Sequence, residues 1–170
     1  MKVLILRGPS GAGKSKFTEG FPSAVIVSAD DFWWKPVNQN NPSGNPIRNV
    51  GTLTYPKLEE YDFNPMLLNV AHSNCFKKFL DAVRRADNDT IVVDNTNIHI
   101  WEFQNYISAA RLGGYEVGVV EFVAETVEDL KELGKRNQHR VPVEVICKMA
   151  LGFEPYEDAL RYNIHGKQIS

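Results

Sequence analysis

Apolar residues along this chain fall into two kinds of run. Short β-branched runs without polar alternation occur at Lys2–Arg7, Ala24–Ser28, Thr90–Asp94 and Tyr115–Phe122. They predict parallel strands covered on both faces, since a half-exposed strand would alternate. Elsewhere apolar positions recur at spacings of three and four, the period of a helix with one buried stripe. Leu68, Ala71, Cys75, Phe79, Ala82 and Ala86 form one stripe, behind Asn64 as N-cap and Pro65 at the first helical position. Ile100, Phe103, Ile107 and Ala110 form a second, stopped by Gly113-Gly114. Thr126 and Asp129 have capping-box spacing for a third helix, and Pro142 divides it from a last one over residues 143–152. Lys14–Gly20 predicts a short helix after the first strand. This alternation predicts an α/β fold of three layers. Its sheet is parallel and mainly four-stranded, and ligands bind at the strands' carboxyl ends.

Residues 35–61 break the pattern, with Pro36, Pro42, Pro46 and Pro56 among many Asn and Gly. A connection this long is functional or disordered. The segments on either side belong to one sheet. The expectation is therefore a flexible substrate-side loop inside one domain, residues 1–170, with residues 126–153 as a lid and its following helix.

Composition narrows the picture. A chain of 170 residues is long enough for one full core, and 43% hydrophobic with 24% charged residues is ordinary for a globular protein. The net charge of −2 supplies no global basic field, so contact with nucleic acid would need a local patch. Cys75 and Cys147 are too few and too far apart for a zinc site or disulfide framework. Met1 runs directly into the first strand, and no apolar run approaches the ~18 residues of a membrane span. The expectation is a cytoplasmic protein with no signal peptide and no membrane contact.

The chemistry starts after the first strand. Gly8-Pro9-Ser10-Gly11-Ala12-Gly13-Lys14-Ser15 fits G-x-x-x-x-G-K-[ST] at every fixed position, between a strand and a helix. Glycines let backbone N–H groups close around an anion, and the helix start behind them favours negative charge. Lys14 can reach β- and γ-phosphates, and the Ser15 hydroxyl can hold Mg²⁺. The loop implies a nucleoside triphosphate.

Three further groups fall after strands or on the lid. Strand two leads into Asp30-Asp31-Phe32-Trp33-Trp34. Either carboxylate could orient an acceptor hydroxyl and take its proton, and either could instead cap the turn. Strand three ends in Asp94-Asn95-Thr96-Asn97, where Asp94 has the place of a Walker B carboxylate and the asparagines face the same crevice or cap the turn. Arg136 and Arg140, four apart, would share a helix face and clamp phosphates, or form a solvated surface.

In combination these motifs resemble the P-loop polynucleotide 5′-hydroxyl kinases of the phage type, and still more the NEDD4-binding protein 2-like P-loop proteins. The stretches Tyr61-Asp62-Phe63-Asn64-Pro65 with His72, and Asp94 to His99 with Trp101-Glu102, carry the second likeness. The resemblance covers residues 3–155 and implies an adenylate kinase-like P-loop NTPase using ATP and Mg²⁺. It makes Asp30 the general base, Lys14 and Ser15 the phosphate and Mg²⁺ residues, Arg140 the lid arginine and Arg136 its helper. The implied acceptor is the 5′-hydroxyl end of DNA or RNA. One departure stands out: the family usually has an acceptor-binding arginine three residues after the base, and here that residue is Trp33. Trp33 and Trp34 would then stack on a terminal base or pack beneath the long loop.

Overall fold

Strand β1 (Lys2–Arg7) lies inside the sheet because both its faces are apolar. In the computed structural model, which describes residues 1–33, 48–49, 63–137 and 141–169, the remaining strands are β2 (Val25–Val27), β3 (Arg48–Asn49), β4 (Thr90–Asp94), β5 (Glu116–Val123) and β6 (Leu160–Asn163). Their order is β3-β2-β4-β1-β5-β6. Five strands are parallel, and β3 pairs antiparallel with β2 at one edge. The register sets Leu6 of β1 beside Asp94 of β4 and Val120 of β5.

The uninterrupted apolar runs now have a reason. Successive side chains alternate between faces, and helices cover both. Val3, Ile5, Val27, Ile91 and Val93 pack against α2 (Leu68–Arg85) and α3 (Ile100–Leu112). Leu4, Leu6, Ile26 and Val92 pack against α1 (Lys14–Thr18), α4 (Val127–Arg136) and α5 (Val143–Leu151).

Local signals behave largely as the sequence implies. Asn64 caps a 3₁₀ turn, Pro65–Leu67, that leads into α2, its side chain accepting from the Met66 N–H at 3.0 Å. Thr126 and Asp129 form the capping box at the start of α4, with bonds of 3.1 and 3.0 Å. The buried stripe of α2 is Ala71, Cys75, Phe79 and Ala82. Leu68 and Ala86 are exposed, and Ala86 ends the helix at φ +51°.

Three details lie outside the sequence pattern. The sheet has five parallel strands, because β6, with the sequence Leu-Arg-Tyr-Asn, carries no apolar run yet pairs with β5. Residues 35–61 contribute the edge strand β3, and the rest of that expected loop lies outside the described residues. Finally, α4 stops at Arg136: Asn137 is extended, at φ −66° and ψ 106°, and its side chain donates to the Val141 carbonyl at 2.7 Å. The shared helix face expected for Arg136 and Arg140 therefore does not continue past Arg136. Among the described residues, no helix is long and apolar enough to cross a membrane.

Candidate active site

The loop between β1 and α1 has little freedom. Gly11 sits at φ +82°, and a Cβ there would lie 2.5 Å from the Leu133 carbonyl of α4. Gly13, at φ +97°, is the left-handed cap of α1. Both conformations exclude ordinary side chains. The Gly8 N–H donates to the Thr96 carbonyl at 2.8 Å, joining the loop to the turn after β4, and the Ala12 N–H donates to Pro9 at 3.2 Å. Pro9 and Ala12 are buried, while Ser10, Gly11 and Gly13 line the partly open side.

Lys14 is buried at the start of α1. Its ammonium donates to the carbonyls of Gly8 at 2.8 Å and Pro9 at 3.0 Å. Burial lowers its pKa, against the opposing fields of Asp94 and Asp30. Beside it the Ser15 hydroxyl donates to Asp94 Oδ2 at 2.9 Å. The register brings Asp94 there, at the end of the strand next to β1. A hydroxyl and a carboxylate so placed are hard oxygen donors, the type Mg²⁺ takes in small number beside substrate phosphates. The pair fits that ion.

After β2 the chain makes a 3₁₀ turn, Ala29–Phe32, that sends its two carboxylates apart. Asp30 is half-buried and within electrostatic reach of Lys14. Asp31 is buried towards α2, where its charge acts on Lys78 and Cys75. Of the two, it is Asp30 whose charge reaches the phosphate-loop lysine.

Several sequence candidates have other duties. Trp33 is 3% exposed, packed edge-on against Phe32 and Phe63 with ring centroids at 4.9 and 5.0 Å. Buried against these two rings, Trp33 has no open face to serve as a stacking platform. Asn95 accepts from the Ala29 N–H at 2.8 Å and donates to Cys75 Sγ at 3.5 Å. Asn97, at φ +44°, donates to the Leu6 carbonyl at 2.9 Å. Both asparagines are buried turn residues rather than exposed substrate contacts. Arg136 donates to Glu132 at 2.9 Å and to the Ile164 carbonyl at 2.7 Å, which ties α4 to the segment after β6. Trp34 and Arg140 lie outside the described residues.

One buried cluster was not foreseen. Arg7 and Glu121, opposite each other on β1 and β5, are both fully buried and bonded at 2.5 Å. Arg7 also donates to the carbonyls of Asn97, Ile98 and Glu154 and lies over the rings of Phe103 and Phe153. Glu121 accepts in addition from Arg161 at 2.8 Å and from the Tyr156 N–H at 2.7 Å. This cluster fastens the strand end before Gly8 to the turn after β4 and to the approach to β6. A charged residue at or near the carboxyl end of each of two apolar strands, Arg7 and Glu121, was the available signal.

Comparison with known proteins gives the chain a family and fold neighbours. The family described as AAA domain matches residues 3–156. Rat YLP motif-containing protein 1 is 27% identical over 169 residues, covering 94% of this chain and 12% of the rat protein. Human NEDD4-binding protein 2 is 28% identical over 151 residues, 86% of this chain and 7% of that protein. The chain thus spans about a tenth of the length of these relatives. Among solved structures, a gluconokinase from Sinorhizobium meliloti superposes with TM-score 0.54 at 14% identity, covering 96% of this chain and 82% of that one. The tunicamycin resistance protein of Deinococcus radiodurans does so with TM-score 0.54 at 11% identity, covering 98% and 88%. The chain shares its fold with these two proteins.

Proposed function

The chain belongs to the AAA domain family, and on that footing we propose that it is an ATP- and Mg²⁺-dependent kinase whose acceptor is the 5′-hydroxyl end of a polynucleotide. The observation that carries this reading is the convergence of Lys14, the Ser15–Asp94 pair and Asp30 at one end of the sheet. A donor site alone would need only the first three. The half-buried Asp30, within electrostatic reach of Lys14 from the turn after β2, is what a transferase adds.

The roles follow from the groups. Lys14 leaves the Gly8 and Pro9 carbonyls for the β- and γ-phosphates. Ser15 and Asp94 would hold Mg²⁺, which when bound neutralises charge on the phosphate oxygens. Asp30 orients the acceptor hydroxyl and takes its proton as the new P–O bond forms at the γ-phosphorus and the bond to the departing diphosphate breaks. Arg140, from the lid, and Arg136 as its helper complete the phosphate contacts. For Arg136 this requires release from Ile164, since transfer chemistry depends on positioned charge.

A second acceptor class, a small hydroxyl compound such as a nucleoside or sugar, is favoured by two observations. Trp33, in the place of the acceptor-strand arginine, is committed to the core, and a fold neighbour is a gluconokinase. A labelled-ATP transfer screen over 5′-hydroxyl DNA, 5′-hydroxyl RNA, nucleosides and sugars decides between them. Label on the oligonucleotides supports the polynucleotide reading, and label only on small acceptors replaces it. ATP binding with no transfer to any acceptor would instead mark a nucleotide-dependent switch.

A further inference from the structure

We propose that Asn95 is a positioning residue for Asp30, acting through the backbone of the turn that carries it; the inference rests on the base assigned above. The first N–H groups of a helical turn have no partner within it. In the turn Ala29–Phe32, two are taken by side chains. Ser28 Oγ accepts from the Asp30 N–H at 3.2 Å, a local cap from the preceding residue. Asn95 Oδ1 accepts from the Ala29 N–H at 2.8 Å, and it comes from another strand.

The amide of Asn95 has one possible orientation. Its partner at Ala29 is a donor, so the oxygen must face it, and the nitrogen then faces Cys75 Sγ on α2 at 3.5 Å. Asn95 is 6% exposed. A buried amide held on both sides is a rigid strut.

The sheet order explains why this residue has the task. Strand β4 lies between β1 and β2. At its end, consecutive residues reach in opposite directions: Asp94 to Ser15 on the β1 side, and Asn95 to the turn after β2. Two adjacent residues thereby fix the spacing between the donor side of the site and the acceptor side. Without Oδ1, the Ala29 N–H is left buried without its acceptor, and the turn moves to find another.

The test compares Asn95→Ala, Asn95→Asp and Cys75→Ala, using labelled ATP and a 5′-hydroxyl DNA oligonucleotide, with amide hydrogen exchange as a second readout. Asn95→Ala is expected to lower kcat about 10- to 100-fold with KM for ATP little changed, the signature of a displaced group rather than a lost binding site. The Ala29 amide loses protection in that variant. Asn95→Asp, which keeps an acceptor oxygen, retains both protection and most of the rate, as does Cys75→Ala.

Full activity and full Ala29 protection in Asn95→Ala would overturn the inference. So would an Asn95→Asp protein that folds and binds ATP but neither transfers phosphate nor protects Ala29, which keeps the test alive if the alanine variant does not fold. The two readings fail differently. Wild-type rates in Asp30→Ala would remove the base and this inference together, whereas a dead Asp30→Ala beside a fully active Asn95→Ala would remove the positioning role alone.

Discussion

Lys14 and Arg7 are both buried cations in one stretch of chain, and they are compensated in different ways. Arg7 meets a full counter-charge, Glu121, together with three carbonyls and two aromatic faces. Among the described residues Lys14 meets only carbonyl dipoles directly, with Asp94 and Asp30 acting from further off. The first arrangement is complete and structural; under the proposed function the second serves a phosphate. Glu121→Gln is therefore expected to cost about 3–5 kcal/mol of unfolding free energy, the usual penalty for stripping one partner from a buried ion pair, read by urea denaturation. Lys14→Met should leave stability unchanged or raised, because a desolvated ammonium is removed, while weakening ATP binding more than about tenfold. Calorimetry of binding beside thermal melts separates these outcomes. The placement of Lys14, Ser15 and Asp94 at one end of the sheet was legible in the sequence, because the glycine loop follows the first apolar run and Asp94 closes another. The burial of Trp33 was not, since it depends on Phe63, thirty positions away. Nor was the bond from the Ala29 N–H to Asn95, which requires knowing that β2 and β4 are neighbours.

At the scale of elements, the best-specified one is α4. Its start is written locally, in Thr126 and Asp129. Burial raises the pKa of Asp129, but the N–H groups of Glu125 and Thr126, the Thr126 hydroxyl and His165 outweigh it, and the net shift is downward. A carboxylate held below its unfolded value stabilises the fold above that value, about pH 3.9 for Asp, and loses the contribution as pH falls through the folded value. Asp129→Asn should thus be less stable than wild type near neutrality, with the gap closing as the medium is acidified. Thr126→Ala should cost about 1 kcal/mol at neutral pH, as for other lost caps. Elements written locally, such as the helix starts at Asn64 and Thr126, were readable from the sequence. Strand β6 was not, because its four residues form a strand only through the partner that β5 supplies. The end of α4 was hidden for a similar reason: it depends on the Asn137 side chain finding the Val141 carbonyl.

At the scale of the whole molecule, the central parallel strands and both helical layers follow from periodicity, and the candidate site follows from where β1, β2 and β4 end. What the sequence left open is the acceptor. A net charge of −2 offers no general attraction for nucleic acid, so an oligonucleotide acceptor must be held by local contacts to its phosphates. Transfer to an oligonucleotide should then weaken as salt rises, with a log–log slope of about −0.7 for each phosphate contacted on a single strand, while transfer to a free nucleoside stays flat. The central claim is that Asp30 and the phosphate loop form one transferase site. Its most direct test pairs ATP binding with labelled-phosphate transfer to a 5′-hydroxyl oligonucleotide in wild type and Asp30→Ala. Equal ATP affinity in the two proteins and transfer by the wild type only are the expected result. Transfer by Asp30→Ala at the wild-type rate would contradict it.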